Sequence, residues 1–139
     1  MLKQSAKAAS RADSPEEVHI LFETYVNEGR LDDLAALYEE EAVLLEHDSF
    51  VIGTDAITSF LAGFISGKPR ISIRYLNTVT AGDVAAVMSQ WKLSAERPDG
   101  STVEDCGRSY DVMRRQTDGS WKVVLDSPWA KIPDEALDS

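Results

Sequence analysis

The sequence is poor in the residues that build disulfides and histidine metal sites. It contains one cysteine, Cys106, and two histidines, His19 and His47. A single cysteine excludes an internal disulfide and a cysteine-based zinc site, and two histidines are too few for a histidine-rich metal site. We therefore predict no metal site. We expect Cys106 to be a small buried residue of a strand rather than a thiol nucleophile.

Positive charge and long apolar runs are also scarce. Lysine and arginine total 14 against 24 aspartates and glutamates, so the formal net charge is −10. Binding to nucleic acid needs a basic surface, and this balance argues against it. No apolar run approaches the ~20 residues that span a bilayer, and the start lacks the continuous apolar segment of a secretory signal. We predict a cytoplasmic protein with neither a nucleic-acid nor a membrane partner.

Three helices are predicted in the first half of the chain. The first begins at Ser14-Pro15-Glu16-Glu17, where serine can cap, proline suits the first helical position and Glu17 completes a capping box. It ends at Gly29, a residue typical of helix C-termini. Apolar residues at helical spacing predict a second, shorter helix over 31–38 and a third from Gly53 to Gly67.

Strands account for the rest. A short hairpin is predicted over 42–47 and 50–52, between the second and third helices. From residue 70 onward the apolar period becomes alternating and predicts four long antiparallel strands, the last of them over 121–129. Helices segregated to one face of an antiparallel sheet define an α+β domain. We assign this domain to residues 14–130, with a flexible arm at 1–13 and a flexible acidic tail at 131–139.

Several segments resemble those of one superfamily. Residues 25–34 resemble its first helix pair, residues 37–44 its passage into the first strand, residues 53–57 the opening of its third helix, and residues 114–124 its final hairpin. The chain thus resembles the ketosteroid isomerases, nuclear transport factor 2 and the SnoaL-like polyketide cyclases, and most closely the SnoaL-like proteins of unassigned role. The resemblance implies a cystatin-like cone in which three N-terminal helices pack on a curved antiparallel sheet around one pocket. It also implies a homodimer formed through the sheet.

The resemblance places candidate catalytic residues as well. The position of the isomerase base matches Glu46, and that of the protonated acid matches Asp111. The position of the oxyanion-binding tyrosine holds Phe22, which has no hydroxyl. Losing one oxyanion donor costs about 10²–10³ in rate, so the steroid isomerase reaction is not expected in its familiar form. Tyr25, one turn further along the helix, is a geometric substitute for the missing hydroxyl.

A second carboxylate is predicted opposite Asp111. If Asp118-Gly119 forms a two-residue hairpin loop, Asp126 faces Asp111 across the strands. Two facing carboxylates in a dry cavity raise the pKa of one of them, and we expect Asp126 to tune Asp111 in this way. The more apolar neighbours Val112 and Leu125 argue that the aspartates point outward. The resemblance argues for the inward orientation, which we predict.

The expected pocket wall consists of Phe22, Tyr25, His47, Phe60 and Trp91. For the aromatic residues the alternative is an ordinary place in the core. For His47, and equally for the catalytic candidate Glu46, the alternative is a solvated strand end.

The predicted function is the binding of a hydrophobic small molecule, with cofactor-independent proton transfer on a carbonyl compound if the chain is an enzyme. Glu46, Asp111 and Asp126 are the predicted catalytic residues. One alternative is a non-catalytic dimerisation or assembly module that uses the outer sheet face. Another is an epoxide hydrolase, which needs an arginine between two aspartates. The spacing of Arg108 and Asp111 puts them on opposite strand faces and argues against it.

Overall fold

The computed structural model describes residues 11–131 and contains three helices, α1 (Pro15–Glu28), α2 (Leu31–Ala35) and α3 (Thr54–Ser66). The predicted ends of α1 are confirmed. The Ser14 hydroxyl accepts a hydrogen bond from the Glu17 backbone N–H, and Gly29 closes the helix in the left-handed conformation at φ 67°. The second helix is shorter than predicted, because the chain has already entered a strand at Tyr38.

Six strands follow the predicted order with shifted ends. They are β1 (Tyr38–Leu45), β2 (Phe50–Ile52), β3 (Arg70–Ala81), β4 (Val84–Glu96), β5 (Thr102–Arg115) and β6 (Trp121–Asp126). The last strand therefore ends at Asp126 rather than at residue 129. Residues 46 and 47 lie in the turn after β1, where the Glu46 N–H donates to the Ser49 carbonyl.

The sheet is mixed, which corrects the prediction of an antiparallel sheet. Its strand order is β2-β1-β6-β5-β4-β3, and β1 pairs with β6 in parallel while the other neighbours are antiparallel. The alternation of apolar residues reports which face is buried but not the direction of the neighbouring strand. The three helices lie in the first half of the chain, and α3 follows the short strands β1 and β2, as predicted.

A register shift in β6 decides which side chains face the helices. The hairpin closes through Gln116 N–H and the Ser120 carbonyl, so the loop has three residues instead of the predicted two. Met113 pairs with Val123 but Val112 pairs with Leu125, which leaves Val124 as the extra residue of a β-bulge. The bulge restores the register that places residue 126 beside residue 111.

The bulge also explains why the apolar pattern and the resemblance predicted different orientations for Asp111 and Asp126. In a regular strand, Val123 and Asp126 would point to opposite sides, because side chains alternate. Here both are buried, with 3% and 9% exposure. One inserted residue thus turns an apolar side chain and a carboxyl toward the same side of the sheet.

The helices cover one face of the sheet and form the core with it. Its fully buried side chains include Tyr25, Leu34, Ile57, Leu61 and Met113. Cys106 is exposed, which corrects the expectation of a buried thiol. Its neighbour Gly107 faces the helices, so residue 106 faces the opposite side.

The end of the predicted N-terminal arm packs on this domain. Ala12 is 2% exposed, and its carbonyl accepts the Trp121 backbone N–H. The rest of the predicted arm, residues 1–10, and the predicted tail from residue 132 lie outside the described residues. Among residues 11–131, no helix has the length and apolar character needed to cross a membrane.

Candidate ligand cavity

A cavity of about 230 Å³ lies between the helices and the sheet. Most of its wall is apolar. Phe22 of α1, Phe60 of α3 and Trp91 of β4 line it, as do the carboxylic residues Glu46, Asp111 and Asp126. The structure therefore brings six of the eight predicted site residues to one cavity.

Tyr25 and His47 are placed elsewhere. Tyr25 is 2% exposed in the core, and the guanidinium of Arg30 lies 4.7 Å above its ring. Since it is absent from the cavity wall formed by the described residues, its hydroxyl does not replace the one missing at Phe22. His47 is exposed and stacks on Trp129 with ring centroids 4.3 Å apart. Because Trp129 itself lines the cavity, His47 lies one layer behind the wall.

The aromatic end of the cavity depends on a glycine. Trp91 of β4 is paired with Gly107 of β5, and a Cβ at position 107 would come within 2.8 Å of the indole carbon Cζ2 of Trp91. The glycine therefore lets the indole lie flat against β5. The indole N–H donates to the Pro128 carbonyl at 2.8 Å, and Trp129 meets Trp91 edge to face at 4.9 Å. The segment after β6 thus closes this end of the cavity.

A buried histidine–aspartate pair lies in the cavity wall. His19 Nε2 is 2.6 Å from Asp111 Oδ2, and both side chains are more than nine-tenths buried. Asp111 Oδ1 accepts the Ser127 backbone N–H at 2.8 Å, so both of its oxygens are engaged. The other ring nitrogen of His19, Nδ1, is buried without a hydrogen-bond partner among the described residues.

The sequence reasoning missed His19 as a site residue. A signal was available, because His19 precedes Phe22 by three positions and Val26 by seven. That is the spacing of the buried helix face. A histidine on such a face needs a polar partner, but periodicity does not identify it.

A second buried pair joins Tyr38 to Asp126. The Tyr38 hydroxyl donates to Asp126 Oδ2 at 2.6 Å. Burial, and after it the charge of Asp111, raise the pKa of Asp126 well above its usual 3.8, although the hydrogen bond from Tyr38 acts in the opposite direction. Burial and the neighbouring Asp126 likewise raise the pKa of Tyr38. Asp126 is therefore the group of this site that retains a proton above the usual range of a carboxyl.

Glu46 differs from the two aspartates in its surroundings. It is half-buried in the turn after β1, and its negative charge contributes to the raised pKa of Asp126. None of the hydrogen bonds found within residues 11–131 involves its carboxylate. Arg108 is not part of the cavity wall that the described residues form, so the arginine and aspartates of an epoxide hydrolase are not assembled here.

Helices on one face of this mixed sheet, around a cavity with buried carboxyls, define a cystatin-like α+β protein. The chain belongs to the SnoaL-like domain family, whose model matches residues 18–124. No curated protein matches it.

Solved structures with the same fold have been described in different functional terms. A ketosteroid isomerase-like protein from Erwinia carotovora atroseptica is 18% identical, with a TM-score of 0.71 over 80% of this chain and 88% of that one. A proposed dehydratase of the NTF2-like family from Streptomyces avermitilis is 14% identical, with a TM-score of 0.72 over 85% and 94%. A proposed calcium/calmodulin-dependent protein kinase type II association domain from Thiobacillus denitrificans is 16% identical, with a TM-score of 0.72 over 88% and 99%. These likenesses establish the fold of the chain and not its activity.

Proposed function

We propose that the chain binds a hydrophobic carbonyl compound in its cavity and transfers a proton on it without a cofactor. The observation that carries the proposal is the raised pKa of Asp126 in the wall of an apolar cavity that also holds the ionisable Glu46. A buried carboxyl with a raised pKa, beside a second carboxyl that is only half-buried, suits the pairing of a general acid with a general base.

The step uses only the chain's own groups. Glu46 takes the proton from the carbon next to the carbonyl, and the C–H electron pair moves toward the carbonyl oxygen. Neutral Asp126 donates a hydrogen bond or its proton to that oxygen, which stabilises the enolate or gives the enol. Return of the proton to the same or another carbon completes an exchange or an isomerisation and restores both carboxyls.

This assignment exchanges the expected roles of the two aspartates. The sequence-based hypothesis made Asp111 the acid and Asp126 its tuner. Asp111 is instead held by His19 and by the Ser127 N–H, whereas the raised pKa belongs to Asp126. We therefore assign the acid to Asp126 and the tuning charge to Asp111.

Exchange of carbon-bound hydrogen tests the proposal. The chain is incubated in D₂O with 1-decalone, 2-decalone and 2-tetralone, and deuterium uptake is followed by ¹H NMR. We expect exchange above the buffer rate for at least one ketone. Glu46→Gln should then slow the protein-dependent rate by about 100-fold or more, since a general base contributes on this scale.

A neighbouring glutamate supplies the matched control. Glu40 is an exposed residue of β1, the strand that precedes Glu46. Glu40→Gln therefore makes the same chemical change outside the cavity and should leave the exchange rate unaltered. Exchange no faster than buffer with all three ketones would contradict the proton-transfer proposal. Undiminished exchange in Glu46→Gln would remove Glu46 from the role of base.

We also propose that the chain forms a homodimer through the face of the sheet that the helices leave uncovered. An apolar patch crosses this face, here called the outer sheet patch and defined by Val79, Ala86, Tyr110, Val112 and Leu125. Ala86, Val112 and Leu125 are direct neighbours across the strands, and Val79 pairs with Ala86. Val79 is 58% and Tyr110 41% exposed. A contiguous exposed apolar patch is typical of a protein interface.

Sedimentation velocity tests the dimer. We expect twice the 15.3 kDa of one chain, and we expect Tyr110→Lys to shift the protein to a monomer by placing a charge in the interface. Ile20→Lys is the control, because Ile20 is an exposed apolar residue of α1, away from the patch. A wild-type monomer, or a dimer that survives Tyr110→Lys but not Ile20→Lys, would contradict the proposal. A dimer that catalyses no exchange would instead favour the non-catalytic assembly module.

A further inference from the structure

The cavity wall has negative charge without a matching positive charge. Glu46, Asp111 and Asp126 line it, and no lysine or arginine of residues 11–131 does. The positive charge available within the wall is that of a protonated His19. It would be offset by Asp111 at 2.6 Å, and Asp126 holds its proton, which leaves the carboxylate of Glu46 uncompensated. The net charge facing a bound molecule is therefore negative.

The hydrogen-bonding groups of the wall are unbalanced in the same sense. Two of its donors are used within the protein, because Tyr38 donates to Asp126 and Trp91 to Pro128, whereas the indole N–H of Trp129 is buried without a partner among residues 11–131. A carboxylate cannot donate, so His19 Nε2 carries the hydrogen that it shares with Asp111. Nδ1 of a neutral His19 is then a buried acceptor without a partner. This acceptor and the two oxygens of Glu46 outnumber the unpartnered Trp129 N–H, and the ligand that satisfies them is one that donates.

Aromatic side chains stand in the same wall. Trp91 and Trp129 both line the cavity and lie edge to face at 4.9 Å. These rings supply apolar contact area for the body of a ligand. An apolar cavity with an uncompensated carboxylate matches a ligand that has an apolar body and a positively charged head.

We propose that the cavity takes hydrophobic compounds that carry an ammonium group and excludes those that carry a carboxylate or phosphate, with Glu46 as the counterion. The proposal rests on the proposed function only in taking the cavity as the ligand site. It names the charge of the ligand, which proton transfer by itself does not specify. An anionic head would meet the unpaired Glu46 and no compensating cation.

Three compounds with one apolar cage and different heads test this. They are 1-adamantanemethylamine, 1-adamantanemethanol and 1-adamantanecarboxylate, which do not absorb where tryptophan does. Binding is followed at neutral pH through the fluorescence of the cavity tryptophans. We expect the amine to bind about tenfold or more tightly than the carboxylate, with the alcohol between them, which corresponds to about 1.4 kcal/mol.

Glu46→Gln separates the counterion from general effects of the cavity. The ratio of amine to alcohol affinity should fall toward one in this variant and stay at the wild-type value in Glu40→Gln. The proposal is overturned if the carboxylate binds as tightly as the amine, or if Glu46→Gln leaves the ratio unchanged while the alcohol binds. In those cases the cavity survives as a ligand site. Failure of all three compounds to bind would overturn both this proposal and the proposed ligand site.

Discussion

Replacing His19 by leucine will lower the free energy of unfolding by about 3 kcal/mol, the upper part of the range for a buried polar group left without its hydrogen-bond partner. Leucine fills a similar volume but leaves Asp111 Oδ2 without the partner it has at 2.6 Å. Asp111 is 5% exposed, so water cannot readily replace that partner. Urea denaturation of the purified variants, monitored by tryptophan fluorescence, measures the loss.

A glutamine at the same position distinguishes the hydrogen bond from the packing. The Gln side chain can still donate an N–H toward Asp111, so His19→Gln should lose clearly less stability than His19→Leu. The adjacent Ile20 is 63% exposed, and Ile20→Leu should change stability by less than about 0.5 kcal/mol. A loss below about 1 kcal/mol in His19→Leu would mean that the pair contributes little to the fold.

The second large effect is a pH-dependent gain in stability from Asp126→Asn. Folding raises the pKa of Asp126 above that of the unfolded chain, which lies near about 3.9. The native protein therefore keeps this proton to higher pH than the unfolded protein does. The contribution of this proton to the stability of the fold is fully present below the pKa that Asp126 has in the unfolded chain. It is lost as the pH rises through the pKa that Asp126 has in the folded protein. Asparagine does not ionise, so it avoids this loss.

The difference between variant and wild type should thus be small near pH 4 and grow toward neutral pH. Within that window it should grow by up to about 1.4 kcal/mol for each unit by which folding raises the pKa. Urea denaturation at several pH values measures it. Asp48→Asn, a change at an exposed position, should show no such trend. A constant difference between Asp126→Asn and wild type across the pH range would show that Asp126 does not retain its proton on folding.

The parts of the fold that depend on local patterns could be predicted well. The cap at Ser14 and the left-handed glycine at residue 29 bound α1 as expected, because both act within a few residues along the chain. The change from helical to alternating period located the long strands for the same reason. The parallel pairing of β1 with β6 could not be predicted, since nothing local in either strand reports its neighbour.

The sequence predicted those site residues whose side-chain type and position were informative by themselves. It missed the site residues that are defined by a contact between two distant parts of the chain. Glu46 and Asp126 were found as carboxyls. His19 was not, because its partner lies 92 residues further along the chain. Tyr38 was assigned to the end of a helix, so its contact with Asp126 88 residues away was not foreseen.

The sequence by itself determined the class of this protein: helix signals, then alternating strands, and segments that match the SnoaL-like family. Only the tertiary structure decided which carboxyl has the raised pKa. The β-bulge at Val124 turns Asp126 inward beside Asp111, and burial there raises the pKa of Asp126. The physical reason is that periodicity and capping are local properties of the chain, whereas a pKa depends on desolvation and on charges that distant segments bring together.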